Sequence, residues 1–244
     1  MIPRFFVDAP LGASPGITLP AAAAHHALNV LRLRDGDPIT LFNGRGGEYP
    51  GRLRVLGGAT ASVDLGARDD REAEAPIDVT IAQCLAGADK MDWIVQKAVE
   101  LGAAAIQPLT SERCVLRLSG VRADKRVDHW RGVAIAASEQ CGRNRVPPVG
   151  PIQPLAAWLQ GPIPDAGARY LLSPNRGGPL LAQASGSQPI TLLVGPEGGM
   201  APGEERMAIE LGFVPATLGP RVLRTETAAA AALAALLARF GDFG

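Results

Sequence analysis

The feature that most constrains the fold is a change of pattern at Pro76. Beyond that proline, apolar runs of strand length alternate with amphipathic stretches of helix length. Strands that are joined by helices pair in parallel, and helices then cover both faces of the sheet. The second part of the chain is therefore predicted to be an α/β domain built on a parallel sheet.

The predicted elements of this domain follow from apolar periodicity. The strands are predicted over 77–83, 104–109, 169–172, 190–194 and 214–218, and the helices over 89–101, 127–140, 202–211 and a final stretch ending at Arg239. Asp89 is the predicted N-cap of the first helix, and Thr225 or Thr227 that of the last.

The part before Pro76 has the pattern of short strands and turns, with one helix over 21–31. Strand-like runs at 38–42 and 49–55 flank Asn43 and Gly44, a pair that favours a tight hairpin turn. Residues 68–76 are charged, lack periodicity and end in proline, which predicts a linker. The sequence thus predicts a small β-rich domain over 1–70 and a larger domain over 76–244.

Composition restricts the partners and the compartment. The formal net charge is zero, so a nucleic acid would have to be bound by a local basic patch. The three cysteines are odd in number and far apart, and the pair His25–His26 lacks further ligands, so neither disulfides nor a metal are expected. The start lacks the features of a signal peptide, and Ala228–Ala238 is too short to cross a bilayer. We expect a cytoplasmic protein without a membrane partner.

A glycine-rich turn, Gly195–Gly199, follows the predicted strand 190–194. Its sequence, Gly-Pro-Glu-Gly-Gly, matches neither the dinucleotide-binding spacing nor a P-loop. An ordinary strand-to-helix turn is one interpretation. The other is a binding site, because glycine and proline fix the backbone and allow a ligand to approach it closely. Main-chain groups with no nearby cation suit a neutral or cationic ligand.

A second Gly-Pro pair ends the predicted strand 214–218 and is followed by Arg221 and Arg224. Both arginines precede a predicted helix, where the positive end of the helix dipole disfavours them unless an anion binds. The pattern therefore indicates either an anion site or two arginines that point to water or pair with Glu226.

Basic residues outnumber acidic ones between Ser111 and Arg145. Such a run is usually a solvated face. The loop 139–145 is polar and basic, and the prolines that follow it restrict its motion. Phosphate contact from Arg143 and Arg145 is therefore a hypothesis.

Together these segments resemble the bacterial 16S ribosomal RNA (uridine-N3)-methyltransferases of the SPOUT, or α/β-knot, superfamily. The resemblance extends over almost the whole chain and depends on motifs in all its parts. They are Arg4-Phe5-Phe6-Val7 and Leu41-Phe42-Asn43-Gly44 near the start, Lys90-Met91-Asp92-Trp93, Ser111-Glu112-Arg113-Cys114 and Glu139-Gln140-Cys141-Gly142-Arg143 in the middle, and Gly195–Gly199 with Leu218–Ala228 at the end. Met200, where a bulkier residue is expected, and the proline-rich segment 162–167 depart from the family pattern.

The resemblance implies a C-terminal trefoil-knotted, parallel-sheet SPOUT domain and a small N-terminal PUA-like β-barrel that binds RNA. It also implies a homodimer, S-adenosyl-L-methionine as cofactor, and ribosomal RNA within the small subunit as substrate. Three knot loops would hold the cofactor through Leu172, Ser173, Pro174, Val194, Gly195, Pro196, Gly198, Gly199, Leu218, Gly219, Val222 and Leu223. The RNA would be contacted by Arg4, Arg32, Arg34, Arg113, Arg143 and Arg145.

Methylation at uridine N3 requires loss of the N3 proton and stabilisation of the negative charge that spreads onto O2 and O4. Arg224 or Arg221 could stabilise that charge. Glu197 or Glu226 is a candidate general base, provided that its pKa is raised.

Two other classes of function stay open at this point. One is a non-catalytic RNA-binding protein with a knotted fold. The other, a dinucleotide-dependent oxidoreductase, lacks the glycine fingerprint and the acidic residue that follows it. Calorimetry with S-adenosylmethionine and with NAD separates all three classes.

Overall fold

The computed structural model describes residues 2–161 and 167–243, so most of the proline-rich segment lies outside the described residues. The chain divides into two compact units. The first comprises Met1–Glu74 and Ser138–Val146, and the second comprises Ala75–Ala137 and Pro147–Gly244. Residues 138–146 thus belong to the first unit, although the sequence predicts a second domain that runs without interruption over 76–244.

The first unit is built on a mixed five-stranded sheet of order β1-β3-β4-β5-β2. Its strands are β1 (Arg4–Phe6), β2 (Gly16–Thr18), β3 (Pro38–Phe42), β4 (Tyr49–Gly57) and β5 (Thr60–Leu65). Helix α1 (Ala21–His25) continues as a π-helical turn over His26–Val30. The antiparallel pairing of β3 with β4 confirms the hairpin predicted at Asn43–Gly44.

The segment 138–146 is tied to this unit by part-buried hydrogen bonds. Asn144 is fully buried, and its Nδ2 donates to the carbonyl of Arg71 at 2.6 Å. Glu139 accepts a hydrogen bond from the backbone N–H of Phe6 at 2.9 Å. The predicted linker is itself partly structured, because Asp69 exchanges backbone hydrogen bonds with Glu48.

The second unit contains the predicted parallel sheet, with seven strands in the order β10-β12-β9-β11-β6-β7-β8. Its strands are β6 (Val79–Cys84), β7 (Ala105–Thr110), β8 (Gln153–Pro154), β9 (Ala168–Leu172), β10 (Gly178–Pro179), β11 (Ile190–Val194) and β12 (Val214–Thr217). Its helices are α2 (Ala88–Glu100), α3 (Gly120–Cys141), α4 (Leu155–Gln160), α5 (Leu180–Gln183), α6 (Pro202–Glu210) and α7 (Thr225–Phe240); α3 ends in the first unit. The short elements β8, β10, α4 and α5 are additional to those that the sequence predicts.

The register of three neighbouring strands creates the site. Strand β9 pairs in parallel with β11 on one side and with β12 on the other. The loops that leave these strands therefore emerge at one edge of the sheet, where α/β proteins bind their ligands. Helix α7 follows the last of these loops and packs against α2 and against β6 and β11.

Both predicted helix caps are wrong. The N-cap of α2 is Gly87, and Asp89 lies within the first turn. Helix α7 has Arg224 as its N-cap and begins at Thr225, with no side-chain cap. The hydroxyl of Thr225 is instead bonded to a neighbouring loop, as described below.

Two features are absent from the described residues. Across 2–161 and 167–243, no helix is both long and apolar enough to cross a membrane. Over the same ranges, no group of histidine, cysteine and carboxylate side chains is arranged to hold a metal ion.

Candidate active site

A cavity of about 640 Å³ lies where the loops after β9, β11 and β12 meet. Ligand sites in proteins typically enclose about 300–1,000 Å³, so the volume suits a nucleoside-sized molecule. All the residues predicted to hold the cofactor line this cavity, except Gly198. The assignment of these residues to a cofactor stays a prediction, but the fold does bring the three loops together.

The glycine-rich turn forms one wall of the cavity. The backbone N–H of Gly199 donates to the carbonyl of Pro196 at 2.9 Å, which closes the turn. Gly199 has φ +68°, and Gly219 in the facing loop has φ +83°, a region that favours glycine. A Cβ atom on either residue would meet no protein atom within 4 Å, so a side chain there would occupy open space at the cavity.

A buried hydrogen-bond chain holds this wall in place. The hydroxyl of Thr225 donates to the carbonyl of Gly195 at 2.6 Å and accepts from Nε2 of Gln83 at 3.0 Å. The same Nε2 also donates to the carbonyl of Cys84 at 2.9 Å. Gln83 is 0% exposed and Thr225 is 7% exposed, so the chain joins β6, the glycine-rich turn and α7 away from water.

Replacement of Thr225 by Val is expected to lower the free energy of unfolding by about 1–3 kcal/mol, because the Gly195 carbonyl loses this donor and Nε2 of Gln83 loses one of its two acceptors. Urea unfolding measures this effect. Thr227→Val is the matched control, since Thr227 is exposed on the same helix and the stability of that variant should be unchanged. Equal stability of the two variants would show that the hydrogen-bond chain contributes nothing.

Arg221 and Arg224 line the cavity and are exposed. Neither guanidinium forms a hydrogen bond or ion pair with any of the described residues. The structure therefore contains no ion pair between either arginine and Glu226, which the sequence left open as an alternative. Two unpaired cations at the mouth of the cavity can stabilise an anion that forms there.

Glu197 is already engaged, which contradicts its predicted role as a base. Burial acts to raise the pKa of its carboxyl group, but hydrogen bonds from the backbone N–H of Gly87 and from Lys90 outweigh burial and hold that pKa below its ordinary value. A carboxylate with a lowered pKa is a poor proton acceptor near neutral pH.

Glu226, the other candidate base, is not among the residues that line the cavity. Its Oε2 is buried without a hydrogen bond and is 3.7 Å from Nζ of Lys90. Lys90 does line the cavity, between these two glutamates, yet the sequence offers no chemical reason to single it out.

Arg113 is a predicted RNA contact, but in the structure its side chain lies against the glycine-rich turn. Its NH1 group donates to the carbonyls of Gly198 and Met200 at 3.3 and 3.4 Å, and its side chain lines the cavity. These bonds fix the turn that follows β11. Arg113 is also exposed, so contact with RNA stays a prediction for this residue.

The remaining predicted RNA contacts lie in the first unit and differ in accessibility. Arg32, Arg34 and Arg145 are exposed. Arg143 is only 4% exposed, and its Nε donates to Glu74 at 3.0 Å, so the hypothesis of a phosphate contact is corrected for this residue. Arg4 is also largely enclosed, through its ion pair with Glu48. Burial of both arginines makes them structural.

A parallel sheet whose loops enclose a cavity of this size defines a ligand-binding α/β domain. Residues 73–237 match the family described as RNA methyltransferase domain, and residues 19–65 match RNA methyltransferase PUA domain. The first match extends over more than half of the chain. The chain belongs to the RNA methyltransferase family, and the first unit contains its PUA-like domain.

Individual relatives agree with this membership. The chain is 31% identical over 243 residues to the ribosomal RNA small subunit methyltransferase E of Bacillus subtilis, covering 96% of this chain and 95% of that relative. The crystal structure of a ribosomal RNA small subunit methyltransferase E from Neisseria gonorrhoeae bound to S-adenosyl methionine is 41% identical, with a TM-score of 0.93 over 100% of both chains. A putative methyltransferase from Legionella pneumophila in complex with S-adenosylmethionine is 31% identical, with a TM-score of 0.94 over 100% of both chains.

Proposed function

We propose that this protein transfers a methyl group from S-adenosylmethionine to N3 of a uridine in 16S ribosomal RNA of the small ribosomal subunit. The observation that carries the proposal is the cavity formed by three loops, with Arg221 and Arg224 unpaired at its edge among the described residues. Family membership and the relatives that act on small-subunit RNA support the class of reaction and of substrate. A ribosomal substrate would place the activity in the cytoplasm.

The residues present fit the proposed cofactor. Glycines at 199 and 219 leave open the space that side chains would fill, and both glycines line the cavity. S-adenosylmethionine carries no phosphate and therefore needs no phosphate loop. When bound, it supplies an electrophilic methyl group on a positively charged sulfur.

The protein's own contribution is to orient the uracil ring and to stabilise its anion. As the N3 proton leaves to water, negative charge spreads onto O2 and O4, and the guanidinium groups of Arg221 and Arg224 can donate to these oxygens. The N3–methyl bond then forms as the sulfur–methyl bond breaks. Because Glu197 is engaged and Glu226 lies outside the cavity, we assign no general base and attribute the rest of the acceleration to orientation.

Mass spectrometry of ribosomal RNA fragments tests this proposal directly. Small subunits from cells that lack the protein are incubated with the enzyme and S-adenosylmethionine, in parallel with free 16S RNA. We expect one N3-methyluridine per 16S RNA. Methylation at another atom would refute the N3 assignment, and binding of both ligands without methyl transfer would favour the non-catalytic alternative.

We further propose that the first unit, residues 1–74 together with 138–146, acts as the RNA-binding domain, and that the second unit acts as the methyltransferase domain. Arg32 and Arg34 are exposed on the first unit, and Arg145 adds a third exposed cation. With a net charge of zero, RNA affinity must come from such local groups.

Reversal of Arg32 and Arg34 to Glu is expected to weaken RNA binding. It should also reduce the slope of log affinity against log salt by about one unit for each phosphate that the variant no longer neutralises. Fluorescence anisotropy with a labelled RNA at several salt concentrations measures both quantities. S-adenosylmethionine affinity, measured on the same variant, should not change. An unaltered salt slope would remove these arginines from the RNA surface.

We propose a homodimer as the working assembly. Helix α7 buries Ala229, Leu233 and Leu236, while several of its other alanines remain half-buried in the single chain. Val222, beside the two cavity arginines, is 76% exposed. An apolar helix with a second half-covered face suits a twofold partner.

Light scattering at micromolar concentration is expected to report twice the mass of the chain. Replacement of Ala231 or Ala235 on the half-buried face by Glu should shift the population toward monomer. A monomeric wild-type protein would contradict the dimer.

We also propose that the loops around the cavity are threaded as a trefoil knot. Support comes from the family resemblance and from the return of α7 across β6 and β11 after the three loops have met. A chain trace in an experimental map tests this point.

A further inference from the structure

A second cavity, of about 280 Å³, lies wholly within the first unit. Its volume is less than half that of the first cavity and suits a single flat ring rather than a nucleoside cofactor. Ile2 contributes an apolar wall, and Thr40, Glu48, Arg71 and Gln140 contribute polar groups.

Two of these polar groups are buried and have hydrogen-bonding capacity to spare. Thr40 is 6% exposed, and its hydroxyl bonds to none of the described residues. Glu48 is 8% exposed; its Oε2 accepts from Arg4, while its Oε1 accepts from no described group. Neither oxygen is sealed from solvent. Because buried polar groups are normally hydrogen-bonded, this pair is suited to a ligand that donates to it.

The carboxylate of Glu48 is held in one orientation. Arg4 contacts it through NH1, and the NH2 group of Arg4 donates to Oδ1 of Asn144 at 2.6 Å and to the carbonyl of Arg143 at 3.2 Å. A fixed carboxylate oxygen accepts well from the exocyclic amino group of a base. Proteins read unpaired RNA bases through such edges.

Arg71 lies at the rim of this cavity and has a free guanidinium within the described chain. Its NH2 group is near Gly142, since a Cβ built on that glycine would lie 3.7 Å away. Its backbone carbonyl is fixed by Asn144. An exposed cation next to a ring-sized cavity is placed to meet the phosphate of the same nucleotide.

We propose that this cavity binds one unpaired, amino-bearing base of the RNA substrate. The amino group donates to Oε1 of Glu48, the hydroxyl of Thr40 contacts the same edge, and Arg71 meets the phosphate. The inference rests on the proposed function, because it takes RNA as the ligand. Uracil has no exocyclic amino group, so the base bound here is a different nucleotide from the proposed target uridine and identifies its sequence context.

Calorimetric titration of the full-length protein with CMP, AMP, GMP and UMP tests this inference. Saturating S-adenosylmethionine keeps the first cavity filled. The amino-bearing monophosphate that binds most tightly is expected to bind about tenfold more tightly than UMP. Its amino group can donate a hydrogen bond to the charged Glu48 carboxylate, and UMP has no such group.

Two variants and one control assign the binding to this cavity. Thr40→Val keeps the shape and removes a hydroxyl that has no partner among the described residues, so it should leave the fold intact and weaken the tightest monophosphate by about threefold to tenfold. Thr18→Val, at an exposed position on β2, should bind as the wild type does. Arg71→Ala should abolish the difference in affinity between the nucleoside and its 5′-monophosphate.

Equal affinity for all four monophosphates, no binding at millimolar concentration, or wild-type affinity in Thr40→Val would each overturn the proposal. Methyl transfer to small subunits is measured on the same preparation. Loss of nucleotide selectivity with intact methyl transfer rejects only the second cavity. Intact selectivity without methyl transfer rejects the proposed function instead.

Discussion

Replacement of Arg224 by Gln is expected to lower the rate constant for methyl transfer by about 100- to 1,000-fold, the usual cost of removing one donor aimed at developing charge. The guanidinium of Arg224 lines the cavity and has no partner among the described residues, so it is available to the substrate. Because the Arg224 guanidinium bonds to no other described side chain, its replacement should lower the rate constant for methyl transfer without disturbing the fold. Single-turnover kinetics with saturating S-adenosylmethionine and small subunits measure it.

The matched control is Arg206→Gln, at an exposed arginine of α6 that lies away from the cavity. It removes the same charge and should leave the rate unchanged. If Arg224→Gln instead weakens S-adenosylmethionine or RNA binding and leaves the rate constant intact, Arg224 is a binding residue and has no role in charge stabilisation.

Replacement of Gly195 by Val is expected to weaken S-adenosylmethionine binding by at least about 100-fold. A Cβ atom on Gly195 would lie 3.2 Å from Cγ of Met200 and 3.4 Å from its backbone N. Its added methyl groups would push against the backbone of Met200, and not only against a flexible side chain. The whole turn from Gly195 to Met200 would then move, and the carbonyl that bonds Thr225 would move with it.

Calorimetry measures the affinity, and circular dichroism checks that the fold persists. Gly203→Ala is the control, because a Cβ on that glycine of α6 meets no atom within 4 Å. Wild-type affinity in Gly195→Val would show that the glycine-rich turn is not part of the cofactor site.

The parallel sheet is predictable because strand length and helical periodicity are local properties, whereas the residues around the cavity are implied only by the family resemblance. The predicted strand 190–194 matches β11 to the residue, and the glycine-rich turn after it lies at the cavity. The shortest elements, such as β8 and β10, are not predictable in this way because two residues carry no period.

The roles of individual polar residues are less predictable, because distant partners decide them. Arg143 has the sequence context of an exposed loop, yet Glu74, sixty-nine positions earlier, encloses it. Thr225 has the context of a helix cap, but a carbonyl from the loop after another strand takes its hydroxyl. Arg113 likewise contacts the glycine-rich turn and Met200, which lie 85 and 87 positions further along the chain.

The return of residues 138–146 to the first unit also limits how this protein can be divided. A fragment that stops at Glu74 lacks Arg143 and Asn144. Arg4 then loses two of its hydrogen bonds and keeps its ion pair with Glu48, and Glu74 loses its bond from Arg143. Neither fragment of a cut made at the linker is complete, and a graft of the first unit onto another protein would have to carry residues 138–146 as well. The two units therefore have to be kept in one chain for the first unit to be complete.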